Sequence, residues 1–126
     1  MTIPWHESYK IGEADIDAQH RELFARINKF LDATDKASLT ACAMSLFQHT
    51  REHFSYEEAA MRRVGYPAVA AHVAEHNGLL SRLNEVADAI GKDSLDRVEL
   101  EEFLSDWLFN HIGTSDARLA IYLTSQ

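Results

Sequence analysis

A single cysteine, Cys42, among 126 residues excludes an internal disulfide, a CxxC redox pair and a thiolate metal cage. Excess positive charge is missing too: the formal net charge is −8 and the pI near 5.2, so nucleic acid and anionic membrane surfaces would repel the chain. No apolar run approaches the roughly eighteen residues that a membrane span needs. The opening MTIPWHESYK lacks the hydrophobic stretch of a secretory signal, and the expected location is cytoplasmic. Strand-like alternation, internal repeats, low-complexity tracts and the marks of a second domain are not seen, so residues 1–126 are expected to form one domain. With 46% apolar residues, a chain of this length can bury a real core without disulfides.

What the chain does have is helical periodicity. The first fifteen or so residues, with Pro4 and Gly12, read as an irregular arm fastened by Trp5, Tyr9 and Ile11. From about Asp17, a plausible N-cap, Ile16, His20, Leu23, Phe24, Ile27, Phe30 and Leu31 recur at spacings of three and four. After a polar turn at 35–38, a second stripe carries Leu39, Cys42, Ala43, Leu46, His49, Thr50, His53, Phe54, Glu57, Met61 and Val64. Gly65, Tyr66 and Pro67 stop that helix. A third stripe of Val69, His72, Val73, His76, Leu80, Leu83, Ala87 and Ile90 ends at Gly91. Gly78 interrupts it at a cost of roughly 1 kcal/mol relative to Ala, with close approach of a neighbour as the expected reason. Asp96 and Glu99 resemble a capping pair for a fourth helix with Leu100, Phe103, Leu104, Trp107, Leu108 and His111 inward. Short connections make this an all-α, antiparallel up-down-up-down four-helix bundle with an N-terminal arm and a short C-terminal helix over 116–123.

The polar residues on these stripes carry the chemistry. One imidazole on a core stripe is usually an internally paired packing residue. Five of them, His20, His53, His72, His76 and His111, together with Glu57, are different, because no lysine or arginine shares the stripe of that carboxylate to neutralise it. Four residues of α-helix turn about 400°, so His53 with Glu57, and His72 with His76, each share one face one turn apart. Imidazole nitrogen and carboxylate oxygen suit iron and zinc, and the donors outnumber the four of a zinc site, which points to two metal ions. His111 and Asp116 lie five residues apart, about 140° apart on a regular helix. Gly113 would let the helix end or bulge there, and spacing alone leaves Asp116 either a ligand or an N-cap for the tail helix. His49, one turn before His53, reads either as a boundary histidine or as a proton-supplying group near the site.

The segments IDAQH, HFSYEE, HVAEH and WLFNHIGTSD, met in that order, resemble the bacterial hemerythrins over essentially the full chain. The family pattern is a lone His in the first helix, HxxxE in the second, HxxxH in the third and HxxxxD at the end of the fourth. The resemblance implies a non-haem di-iron centre that binds O2. His72, His76 and His111 would hold one iron and His20 and His53 the other. Glu57, Asp116 and an oxo or hydroxo group would bridge them, the two-histidine iron keeping an open position. Leu108, Ile112 and Trp107 would form an apolar wall around bound O2, or serve as ordinary core. Reversible O2 carriage, storage or delivery by a monomer, to a protein partner, is the leading expectation. A sensor module, or an enzyme acting on peroxide or nitric oxide, would use the same ligands.

Overall fold

The computed structural model describes residues 3, 5, 10, 12 and 14–124, and all regular structure among them is helical. Helix α1 spans Ala14–Asp32, α2 Lys36–Arg63, α3 Val69–Gly91 and α4 Arg97–Asp106. A π-helical segment, Trp107–Asp116, continues α4 without a break into α5, Ala117–Thr124. Four helical rods joined by short turns give the expected antiparallel bundle.

Local chemistry sets the boundaries. Asp17 is not the N-cap of α1 but lies inside its first turn, where its carboxylate accepts from the Gly12 N–H at 3.2 Å. Asp35 caps α2 by accepting from Ser38 N–H, so the helix starts within the stretch read as a polar turn. At the other end of α2, Tyr66 N–H donates to Met61 C=O and Gly65 N–H to Arg62 C=O. Gly65 sits at φ +66°, so a Schellman cap closes the helix where the Gly-Tyr-Pro stop was read. The same closure ends α3, but its left-handed residue is Asp93 (φ 55°), not Gly91, which remains helical. Asp96 caps α4 through Val98 and Glu99 N–H groups. The Arg97 guanidinium then donates to the Leu31 and Ala33 carbonyls, fastening α4 to the C-terminus of α1.

The arm is tied down through Ile3 and Trp5. Ile3 is buried and exchanges two hydrogen bonds with the Asn28 side chain. Trp5 packs edge-on against Phe24 at 5.1 Å, with the Arg21 guanidinium over its ring. Tyr9 and Ile11, also expected to anchor the arm, lie outside the described residues. On α3 the inward set is slightly rotated from the expected one: Ala87 is exposed and Val86 packs on the core in its place. Gly78 is exposed and a Cβ there would meet nothing within 4 Å, so close approach does not explain it.

The apolar interior falls into two unequal parts. The larger contains Leu23, Phe24, Phe54, Leu104, Leu108 and Ile112, and the smaller Ile16, Ala60, Met61, Tyr66 and Leu119. Along each stripe the polar residue lies between them: His20 between Ile16 and Leu23, Glu57 between Phe54 and Met61, Asp116 between Ile112 and Leu119. A buried polar layer is therefore sealed from both sides by hydrocarbon.

Candidate metal centre

All seven expected site residues converge in that layer. His20, His53, Glu57, His72, His76, His111 and Asp116 are each no more than 3% exposed. α1 supplies His20, α2 His53 and Glu57, α3 His72 and His76, and the π-helical segment His111 and Asp116. The π turn resolves the spacing problem, because its backbone bonds close five residues apart and bring positions 111 and 116 onto one face. Gly113 needs no left-handed backbone for this, and a Cβ on it would meet only the Leu108 carbonyl oxygen at 3.8 Å. The alternative role of Asp116 as a helix cap is not what it does: the helix runs through it, and its carboxylate is fully buried.

The donors fall into two sets that share two members. Ligand atoms of Glu57, His72, His76, His111 and Asp116 lie within 4.8 Å of one another, as do those of His20, His53, Glu57 and Asp116. Each carboxylate turns one oxygen to each set. Glu57 Oε1 is 2.7 Å from His72 Nε2 and 3.1 Å from His76 Nε2, whereas Oε2 is 3.5 Å from His20 Nε2 and 3.4 Å from His53 Nε2. Asp116 Oδ1 is 2.9 Å from His72 Nε2 and 3.5 Å from His111 Nε2, and Oδ2 is 3.1 Å from His20 Nε2.

Three imidazoles are held from behind by groups that periodicity did not single out. His53 Nδ1 lies 2.7 Å from Gln19 Oε1, His76 Nδ1 2.8 Å from Glu58 Oε2, and His111 Nδ1 3.1 Å from Glu75 Oε1. Ser115 Oγ donates to both oxygens of Glu75. Each acceptor directly neighbours a site residue of its own helix: Gln19 beside His20, Glu58 beside Glu57, Glu75 beside His76. One step of about 100° swings it out of its own stripe toward the next helix, and an acidic or amide residue flanking an inward histidine or carboxylate is the signal that points to it. Phe54 adds a stacked face to His76, with centroids 3.7 Å apart.

His49 is half-buried and its nitrogens are not among the converging atoms. Its Nε2–H donates to the Gln19 backbone oxygen at 3.1 Å, and its ring lies parallel to that of His53 at 6.5 Å.

Charges in the layer are strongly perturbed. Burial opposes a charge on His20, yet polar contacts with Asp116 and Glu57 outweigh it and raise it to about 9. The same balance raises His72 to about 10. Burial and the neighbouring His20 push His53 down to about 3. Burial favours neutral Glu57, but contacts with His20, His72 and His76 hold it well below its ordinary value. The bond from His111 lowers Glu75 to about 2.

This donor set fits a metal. His20 Nε2, His53 Nε2, Glu57 Oε2 and both Asp116 oxygens are buried and close to one another without being aligned as hydrogen bonds. His76 and His111 point Nε2 at Nε2 across 3.1 Å while their Nδ1 atoms face carboxylates. With Nδ1–H facing a carboxylate on each ring, the two Nε2 lone pairs repel unless a proton or a metal ion lies between, and two nitrogens each about 2.1 Å from one ion and at right angles would stand about 3 Å apart. Neutral nitrogen with carboxylate oxygen suits first-row ions such as iron and zinc.

A helical bundle with a buried histidine and carboxylate cluster able to hold metal is thus the class that the fold and site define. Residues 12–121 match the hemerythrin HHE cation-binding domain. The bacteriohemerythrin of Stenotrophomonas maltophilia is 34% identical over 94% of this chain and 79% of its own length. That of Pseudomonas aeruginosa strain LESB58 is 35% identical over 91% and 77%. A hemerythrin-like protein of Naegleria gruberi is 31% identical over 93% of both chains. A crystal structure of a hemerythrin mutant superposes with a TM-score of 0.85 at 24% identity, covering 95% of this chain and 96% of that one. The chain belongs to the hemerythrin family. Among the described residues no helix is long and apolar enough to cross a membrane.

Proposed function

We propose that the chain binds two iron ions and, through them, O2 reversibly, as a carrier or store rather than as an enzyme. The observation that carries this reading is the division of both carboxylates, each with one oxygen toward His72 and its neighbours and the other toward His20. In this assignment His72, His76 and His111 would hold one iron and His20 and His53 the other, with Glu57 and Asp116 offering an oxygen to each. A reduced di-iron pair supplies two electrons for binding O2. The protein keeps the five Nε2 atoms unprotonated and facing inward when metal is present. Trp107, Leu108 and Ile112, all buried beside His111 in the larger apolar part, exclude water from the layer while also packing the core.

Anaerobic loading with Fe(II), followed by elemental analysis and visible spectra under O2 and then argon, tests the reading. About two irons per chain, and bands that appear with O2 and fade on purging, are expected. One metal ion per chain, or bands that never reverse, would overturn it. Sustained turnover of peroxide or nitric oxide would replace it with an enzymatic role.

A further inference from the structure

The imidazoles differ in what stands behind them. In the three-histidine set, His76 faces the Glu58 carboxylate at 2.8 Å and His111 faces the Glu75 carboxylate at 3.1 Å, Glu75 being fixed in turn by Ser115. In the two-histidine set, His53 faces only the neutral Gln19 amide at 2.7 Å, and buried His20 Nδ1 has no hydrogen-bond partner. A carboxylate that accepts from Nδ1–H pushes electron density into the ring and raises the basicity of the opposite nitrogen; an amide does so less, and an unbonded nitrogen gains nothing. Glu58 and Glu75 reach the layer from α2 and α3, so the helix packing itself delivers negative charge to one side only. Gln19 is further committed, its backbone oxygen holding His49.

We propose that Glu58 and Glu75 are positioning residues that make the three-histidine position the tighter of two metal positions, and that neutral Gln19 keeps the two-histidine position the weaker. This rests on the two-metal assignment made above. The weaker, less donating position is then the one free to exchange a ligand, while the carboxylate-backed position serves as the fixed anchor. Ligand number works in the same direction, so the contribution of the outer residues must be read from substitutions that leave all seven inner donors in place.

The test uses the full chain freed of metal and titrated with Zn2+ against a chromophoric chelator. Wild type is expected to take up two ions in two resolved steps. Glu75→Gln keeps an acceptor but removes its charge, and should loosen the tight step by about tenfold or more while changing the weak one by less than about twofold. Glu58→Gln serves as the second variant and should act on the same step. Gln19→Glu should do the reverse, tightening only the weak step. In the zinc-loaded, histidine-labelled protein, Glu75→Gln should move the His111 Nδ1–H resonance upfield and leave that of His53 in place, a signature that general loosening of the bundle would not give. Two indistinguishable steps in wild type, or variants that shift both steps alike or neither, would overturn the proposal. Uptake of fewer than two ions by wild type would instead overturn the two-metal assignment beneath it.

Discussion

Glu57 concentrates the chemistry of the layer: fully buried, it lies within 3.5 Å of four histidines and belongs to both donor sets. Replacing it with Gln preserves size but removes the single charge that both proposed metal positions share and puts a donor NH2 where one of the two oxygens offered a lone pair. Iron content is expected to fall from about two per chain to below one, as read by elemental analysis beside an unchanged helical spectrum; retention of two irons would remove Glu57 from its assigned role. His49→Leu should by contrast leave iron content unaltered, because its imidazole is spent on the Gln19 carbonyl. The residue scale is also where the sequence was most and least legible. His20, His53, Glu57, His72 and His76 were readable because their stripes are regular α-helix. Gln19, Glu58 and Glu75 were not, since each acts on a histidine of another helix and shares no face with it.

At the scale of elements, the four rods and most of their ends could be read from periodicity and cap chemistry, because those signals are local. Two places could not. A bulge between His111 and Asp116 was readable from their five-residue spacing, but the length of the π-helical segment, Trp107–Asp116, is set by what the helix must present to its neighbours, and no residue marks where the wider turn begins. Gly113 looked like the hinge and is not one: its backbone is not left-handed and a Cβ there meets ordinary contact. Gly113→Ala is therefore expected to keep full iron content. Gly78, likewise, occupies an exposed turn of α3 with open space beside it, so its interruption of the stripe has no packing reason. Gly78→Ala should raise unfolding free energy by about 1 kcal/mol in denaturant titration, with the slope unchanged. A loss of stability at either position would show that the glycine serves a contact or motion that the fold does not display.

At the scale of the molecule, the bundle must hold a charged layer between two apolar parts whether or not metal is present. Without metal, protons do the work: His20 and His72, raised to about 9 and 10, stay charged against Glu57 and Asp116 at neutral pH. A histidine raised in the folded state contributes stability that is complete below its ordinary value near 6.5 and is lost as pH climbs through its folded value. The metal-free bundle should thus weaken as pH rises from about 6.5 to 10, leaving the buried Glu57 and Asp116 side chains without their cationic partners. On the acid side the sign reverses for His53, held down near 3, and for depressed Glu57, whose contributions fade as pH falls below about 6.5 and 4.5. Bound ions replace the protons on His20 and His72, so the alkaline loss should vanish in the loaded protein. Uptake at pH 7.5 should release about two protons, measurable as a buffer-dependent heat. Melting curves of chelator-dialysed and iron-loaded chains at pH 8, 9 and 10 decide the matter: the first set should drop steadily while the second stays level. A metal-free melting temperature indifferent to pH across that range would mean that protons are not what holds the empty layer together.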